Sequence, residues 1–165
     1  MKIIAVIPAR YDSTRLAGKV LLKETGKYLI QHTYEATLGA ANVSQVIIAT
    51  DDARVVSACS EFSARAVMTS KSHQSGTDRI AEAVKGIDAD VVINIQGDEP
   101  EIDPANIDAI AKLMLDNPEC VMGTLVADFE EQGDVAVPDI VKCVVDKAGR
   151  AIYFSRSVIP YCRDA

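Results

Sequence analysis

The sequence lacks several features that would place it in a common protein class. Its 165 residues carry a net charge of −7, which argues against broad binding to nucleic acids or anionic membranes, because both need a surplus of positive potential. No apolar run approaches the length of a membrane span or of a signal-peptide core. We therefore expect a cytoplasmic protein with no nucleic-acid and no membrane partner.

Cysteine and histidine patterns are sparse as well. The four cysteines are widely spaced and form no Cys-x-x-Cys pair, so we expect reduced, packed thiols. His73 has no second histidine close by in the sequence that would suggest a metal pair. Neither a P-loop nor a Gly-x-Gly-x-x-Gly fingerprint is present. The function therefore has to be sought in less common motifs.

What the sequence does contain is the pattern of one α/β domain. With 48% hydrophobic and 25% charged residues it is long enough to bury a core. Apolar runs predict strands at residues 1–7, 46–50, 66–68 and 91–95, and helical spacing predicts helices at 27–40, 55–62, 80–87 and from 104 to 116. Three further strands are predicted at 121–126, 141–145 and 151–154, the last two joined by a turn at 146–149. This alternation predicts a mostly parallel sheet covered on both faces, with ligands at the carboxyl edge of its strands.

A cation-rich loop follows the first predicted strand directly. Residues 8–19, which we call the basic loop, carry Arg10, Arg15 and Lys19 among small and hydroxyl side chains. Backbone N–H groups of such a loop can turn inward while the cations converge on a polyphosphate. We interpret it as a phosphate site, and the alternative is a solvated surface loop.

An acidic turn follows the strand predicted at 91–95. Asp98 stands at its end and is well placed to hold Mg²⁺, which usually binds one or two protein carboxylates together with phosphate oxygens and water. The alternative is that Asp98 and Glu99 satisfy turn amides ahead of Pro100.

The polar segment at residues 69–79 has two interpretations as well. Gln74 and Ser75 offer directional hydrogen bonds to a flat base, Gly76 allows close approach of the backbone, and a helix N-terminus adds positive potential. The alternative is a loop in which Ser75 or Thr77 caps the next helix.

Charged residues also follow two other predicted strands. Asp51 and Asp52 are better explained as caps of the second helix than as catalytic groups. Arg156 follows the last predicted strand, where its guanidinium can receive a carboxylate ligand in a bidentate manner. An arginine at a surface strand end is an equally good explanation of the spacing.

Together these motifs closely resemble those of the 3-deoxy-manno-octulosonate cytidylyltransferase (CMP-Kdo synthetase) family. The resemblance runs from end to end of the chain and keeps the family's order and approximate spacing. The matching segments are residues 7–19 (IPARYDSTRLAGK), 49–52 (ATDD), 68–82 (MTSKSHQSGTDRIAE), 94–100 (NIQGDEP) and 151–160 (AIYFSRSVIP).

The resemblance implies a Rossmann-like, three-layer α/β/α nucleotidyltransferase fold. It implies transfer of CMP from CTP to the acidic sugar Kdo with release of pyrophosphate, for lipopolysaccharide synthesis. Orientation and charge neutralisation by Mg²⁺ and its protein neighbours would supply most of the acceleration, with Arg10, Lys19 and Asp98 as catalytic residues. The binding roles it implies are CTP phosphates for Arg10, Arg15 and Lys19, the nucleotide for Ser75, Gly76, Arg79 and Gln96, Mg²⁺ for Asp98 and the Kdo carboxylate for Arg156.

The chain departs from the family in two respects. Residues 16–21 read Leu-Ala-Gly-Lys-Val-Leu where the family usually has Leu-Pro-Gly-Lys-Pro-Leu, so the basic loop loses stiffness but keeps its lysine. Family members are also longer, with a C-terminal part that carries sugar contacts, much of the homodimer interface and a Gly-x-Asp-Thr-Pro-Glu-Asp segment whose first Asp is a second metal ligand. We expect residues 1–165 to form a single nucleotidyltransferase domain without that part, poorly active or inactive if complete as given.

Two other functions fit the same motifs. The chain can be a cytidylyltransferase for another acidic sugar, such as a sialic acid, although the run at residues 73–79 favours Kdo. It can also be a catalytically inactive or truncated module that binds CTP without turnover.

Overall fold

The computed structural model describes residues 1–12, 16–129, 132–161 and 163, with the side chain of residue 132 left out. These residues divide into two compact units, Met1–Gly123 and Thr124–Ala165, and each is described by itself. Arg15 of the basic loop lies outside the described residues. The expectation of a single domain over residues 1–165 stays a prediction.

The first unit is built on a four-stranded parallel sheet. Its strands are β1 (Ile3–Ala9), β2 (Gln45–Thr50), β3 (Ala66–Met68) and β4 (Val91–Asn94), in the order β3-β2-β1-β4. β1 pairs in parallel with β2 from Ile4–Gln45 onward and with β4 from Ile3–Val91 onward. The carboxyl ends of all four strands therefore lie at one edge.

Helices cover both faces of this sheet. They are α1 (Leu29–Leu38), α2 (Ala53–Glu61), α3 (Gly76–Ala83) and α4 (Pro104–Asp116), and a 3-10 turn at Lys19–Leu21 follows the basic loop. Alternate β1 residues point to opposite faces. Ile3 and Ile7 pack in a cluster with residues of α1, α2 and α4, whereas Ile4 and Val6 pack with Ile80 of α3. The predicted α/β architecture with three layers and a mostly parallel sheet is confirmed.

Side-chain caps explain where three of the helices begin. Asp52, Ser75 and Asp103 precede α2, α3 and α4, and each side chain accepts a hydrogen bond from a backbone N–H in the first turn. These bonds satisfy donors that have no partner inside the helix. One of the capping residues, Asp52, follows the end of β2 by two residues. Of the described helices, none reaches both the length and the mean hydropathy of a membrane span.

The second unit contains an antiparallel hairpin. β5 (Lys142–Val145) pairs with β6 (Ala151–Ser155), and the Asp146 carboxylate accepts hydrogen bonds from the backbone N–H groups of Ala148 and Arg150 in the turn. These two bonds lower the pKa of Asp146. The predicted hairpin and its turn at residues 146–149 are confirmed.

Two predictions about strands are wrong. Residues 121–126 form no strand, and Val121 and Met122 are 99% and 84% exposed. No described strand pairs with this segment, and an apolar sequence without a pairing partner does not make a sheet strand. The first strand is predicted to end at residue 7, but β1 continues through Pro8 to Ala9. Beyond Val6–Asn94 the structure pairs β1 with β2 alone, and a proline is tolerated where one side of a strand is unpaired.

Candidate functional site

A cleft of about 280 Å³ opens where β1 and β4 end. Residues from three separate stretches meet there, because the parallel strands end at the same edge and the 3-10 turn lies beside them. The cleft is lined by Pro8, Arg10, Asp12, Lys19, Val20, Gln96, Gly97 and Asp98. Four residues predicted for the site from two separate motifs, Arg10 and Lys19 from one and Gln96 and Asp98 from the other, are thus brought together.

At the base of the cleft, which we call its floor, the backbone at Gly97 packs closely against the backbone at Pro8. A Cβ atom at Gly97 would lie 3.0 Å from the carbonyl oxygen of Pro8 and 3.3 Å from Cδ1 of Ile30. The buried hydroxyl of Thr33 donates to the carbonyl of Gly97 at 3.3 Å. Only glycine allows this close approach of the loop after β4 to the end of β1.

The central charges of the cleft form an ion pair. Nζ of Lys19 lies 2.8 Å from Oδ2 of Asp98, and the two side chains are 40% and 53% exposed. An ion pair this exposed adds little to stability. The Lys19 ammonium can therefore exchange this partner for an incoming anion.

Tyr11 near the start of the basic loop contacts both Gly18 near its end and Arg54 on α2. Gly18 has a positive φ of 70°, and its N–H donates to the carbonyl of Tyr11 at 2.7 Å. The Arg54 guanidinium lies 3.4 Å from the centre of the Tyr11 ring, and Asp52 accepts hydrogen bonds from its Nε and Nη2 at 2.8 and 2.6 Å. The hydrogen bonds from Arg54 lower the pKa of Asp52 to about 2. This arrangement places Lys19 even without the prolines of the family pattern.

The polar segment at residues 69–75 reaches back to the basic loop. Nη2 of Arg10 donates to the carbonyl oxygen of His73 at 3.2 Å. The His73 ring makes a short contact with the Glu82 carboxylate, which also accepts from the backbone N–H of Ser70 at 2.9 Å. Nε2 of Gln74 donates to the carbonyl of Ser72 at 3.2 Å. Gln74 thus helps to shape this segment.

Ser75 and Gly76 bring the start of α3 against the end of β1. The Ser75 hydroxyl accepts from the backbone N–H of Asp78 at 3.1 Å and donates to its carboxylate at 2.6 Å. A Cβ atom at Gly76 would lie 3.3 Å from Cγ of Pro8. The cap predicted for Ser75 is confirmed, and its role toward a nucleotide stays a prediction.

Arg79 lies in a different environment from the other predicted site residues. It is fully buried, with Nη1 donating to the Thr69 hydroxyl at 2.5 Å and Nη2 donating to Asp51 at 2.6 Å. Thr69 in turn donates to the carbonyl of Thr50 at 3.0 Å. We call Arg79, Asp51 and Thr69 the buried anchor. Of the two aspartates interpreted as caps, Asp52 caps α2 and Asp51 belongs to this anchor.

The carboxylates in the cleft suit a cation whose coordination shell is completed by oxygen atoms of a substrate and by water. Among the described residues, no group of three or more His, Cys, Asp or Glu side chains could hold a metal ion. Asp98 and Asp12 both line the cleft. Because Mg²⁺ usually takes only one or two protein carboxylates when phosphate oxygens and water complete its shell, Asp98 fits the predicted ion.

Arg156 belongs to the second unit. Its Nη1 donates to the carbonyl of Pro138 at 2.9 Å and lies 3.9 Å from a carboxylate oxygen of Asp139. The backbone carbonyl of Arg156 accepts from the buried Lys142 ammonium at 2.7 Å. The guanidinium is largely exposed, and its role toward a sugar carboxylate stays a prediction.

The chain matches known proteins along nearly its whole length. A family model described as cytidylyltransferase matches residues 4–165. The 3-deoxy-manno-octulosonate cytidylyltransferases of Geotalea daltonii and Geobacter metallireducens are 51% and 52% identical to it over 99% of this chain. A solved structure of CMP:2-keto-3-deoxy-manno-octonic acid synthetase complexed with CTP matches with a TM-score of 0.92 and 45% identity, covering 99% of this chain and 68% of that one. The chain spans 65% of the length of these two curated relatives.

Proposed function

The chain belongs to the cytidylyltransferase family, and from this premise we propose that it provides the nucleotide site of an enzyme that transfers CMP from CTP to Kdo. Pyrophosphate is the second product, and the sugar nucleotide serves lipopolysaccharide synthesis in the cytoplasm. The observation that carries the proposal is the cleft in which Arg10, Lys19, Gln96 and Asp98 meet. A homodimer, as expected for full-length members of the family, belongs to the same proposal and is supported by the family resemblance alone.

In this proposal the basic loop binds the phosphates of CTP. Arg10 and Lys19 line the cleft, and Lys19 is exposed enough to exchange Asp98 for a phosphate oxygen. Arg15 belongs to the same set by the resemblance. Asp98, once released from Lys19, would hold Mg²⁺, which when bound supplies neutralisation of phosphate charge.

The nucleoside is assigned to the rim beside α3. Gln96 lines the cleft, and the start of α3 at Ser75 and Gly76 packs against Pro8, another lining residue. Gln74 lies in the adjoining segment. Arg79 is fully buried and donates to Thr69, so we assign it to holding the start of the polar segment in place.

The reaction that fits these groups is an in-line displacement. The anomeric oxygen of Kdo forms a bond to the α-phosphorus of CTP and its hydroxyl proton passes to solvent. The bond from that phosphorus to the oxygen bridging the β-phosphate breaks, and pyrophosphate leaves with the electron pair. Arg10 and Lys19 orient the triphosphate and stabilise the charge that develops on it. Arg156 is assigned to the Kdo carboxylate, for which a guanidinium is suited.

The test is release of pyrophosphate by the 165-residue chain with CTP, Mg²⁺ and Kdo. We expect any release by this chain, low without the family's C-terminal part, to require both substrates, to be unsupported by GTP or ATP, and to fall roughly 100-fold or more in Asp98→Ala. Asp116→Ala is the matched control, since this carboxylate pairs with Lys112 on the exposed face of α4 outside the cleft. CTP binding without release would reduce the proposal to a CTP-binding module, and release with a sialic acid in place of Kdo would change the assigned sugar.

A further inference from the structure

We propose that Glu82 is a positioning residue for Arg10. It holds the segment at residues 70–73 in the shape that presents the His73 carbonyl to the Arg10 guanidinium. The inference rests on the proposed function, because it takes Arg10 as a ligand of the CTP phosphates. Glu82 itself lies on α3 and is not among the residues that line the cleft.

The Glu82 carboxylate fixes the segment at two points. Its Oε2 accepts from the backbone N–H of Ser70 at 2.9 Å and contacts Nε2 of His73. Between these points, the backbone N–H of Ser72 donates to the Ser70 hydroxyl at 3.1 Å. The bond from Ser70, followed by that from His73, lowers the pKa of Glu82, so the carboxylate is charged at neutral pH.

The helix that carries Glu82 is a firm support. Ile80 and Ala83 pack in the buried cluster against β1 and β2, and Arg79 joins the same helix to Asp51 through the buried anchor. A carboxylate mounted on this helix therefore holds its partners at a defined distance from the sheet.

The segment transmits this order to the cleft through the backbone carbonyl of His73. Among the described residues, this carbonyl is the hydrogen-bond acceptor of the Arg10 side chain, at 3.2 Å. An arginine side chain loses rotamer entropy when it is fixed. An arginine that is already oriented avoids part of that loss when phosphate binds, which strengthens binding without any contact between Glu82 and the ligand.

The experiment is a titration of CTP into the 165-residue chain, followed by calorimetry, for the wild type, Glu82→Gln, Arg10→Ala and the double variant. Glutamine keeps the shape of the side chain and an oxygen for the Ser70 N–H but removes the charge. We expect Glu82→Gln to weaken CTP binding about tenfold and to add nothing in the Arg10→Ala background. Glu35→Gln is the control, since Glu35 lies on the exposed face of α1, where it pairs with Lys27, and it should leave binding unchanged. Urea unfolding of each variant verifies that it is folded.

Each outcome has one meaning. If Arg10→Ala leaves the affinity for CTP unchanged, the proposed function of Arg10 itself fails. If Arg10→Ala weakens binding while Glu82→Gln does not, the positioning role is overturned and the function stands. If Glu82→Gln weakens binding by the same factor with and without Arg10, Glu82 acts by another route and the proposal is again overturned.

Discussion

Two ion pairs lie at the carboxyl edge of the sheet, and they differ in how far they are exposed to solvent. In the buried anchor, Arg79 has no exposed surface and lies 2.6 Å from Asp51. In the cleft, Lys19 and Asp98 lie 2.8 Å apart with about half of each side chain exposed. A buried charge cannot leave its partner without a large loss of stability, whereas either member of an exposed pair can exchange its partner for a ligand. The buried pair therefore stabilises the fold, and the exposed pair at the same edge is suited to binding a ligand.

The largest expected effect is the loss of the buried anchor. Arg79→Met leaves the Asp51 carboxylate without its cation in a largely buried position, and we expect it to lower the free energy of unfolding by about 3–5 kcal/mol. Urea unfolding measures this value. The control is Lys112→Met, which removes an exposed ion pair with Asp116 and should change stability by less than about 0.5 kcal/mol.

A second variant sharpens the same test. Arg79→Met combined with Asp51→Asn removes both charges, so it should recover part of the stability lost by Arg79→Met alone. A stability loss in Arg79→Met no greater than that of Lys112→Met would contradict the assignment of Arg79 to the fold.

An intermediate effect is expected at the floor of the cleft. Gly97→Ala places a methyl group 3.0 Å from the Pro8 carbonyl oxygen, so strand end and loop must separate, at a cost of about 1–3 kcal/mol of unfolding free energy. Gly133→Ala is the matched control, because nothing lies within 4 Å of the added Cβ there. A Gly97→Ala variant as stable as the control would show that the backbone around Gly97 moves to accept the methyl group, and it would contradict a fixed shape of the cleft.

The smallest effect concerns Asp52, whose carboxylate acts locally in the cap of α2 and in the pair with Arg54. Asp52→Ala removes the cap of α2 and should cost about 1 kcal/mol in urea unfolding. The folded-state pKa of Asp52 is about 2, below the ordinary value of 3.8. Its charge therefore stabilises the protein above about pH 4, and that contribution disappears as the pH falls toward 2. The stability difference between wild type and Asp52→Asn should shrink over this range, and a difference that does not vary with pH would contradict the pairing with Arg54.

Much of the fold could be predicted from local patterns. The strands alternate with helical spacing, Asp52, Ser75 and Asp103 mark helix starts, and a turn rich in polar residues joins the hairpin strands. The meeting of Arg10, Lys19 and Asp98 followed from the rule that parallel strands end at one edge. Residues 121–126 show the limit of this reasoning, because an apolar run does not reveal whether a partner strand lies beside it.

The support for the site could not be predicted in the same way. Asp51 and Arg79 are 28 residues apart, and no local spacing shows that α3 turns Arg79 toward the end of β2. Glu82 was missed because its partners at Ser70 and His73 lie in an irregular segment whose path depends on tertiary packing. Sequence patterns thus predicted the groups that face a ligand better than those that hold them in place.

The most direct test of the central claim is a comparison of CTP and GTP binding to the 165-residue chain by titration calorimetry, repeated with Lys19→Met. The account predicts that CTP binds in preference to GTP and that loss of the Lys19 ammonium weakens CTP binding about tenfold or more while leaving urea stability within about 1 kcal/mol of the wild type. Equal binding of both nucleotides, or CTP binding unaffected by Lys19→Met, would contradict the assignment of the cleft as a cytidine nucleotide site.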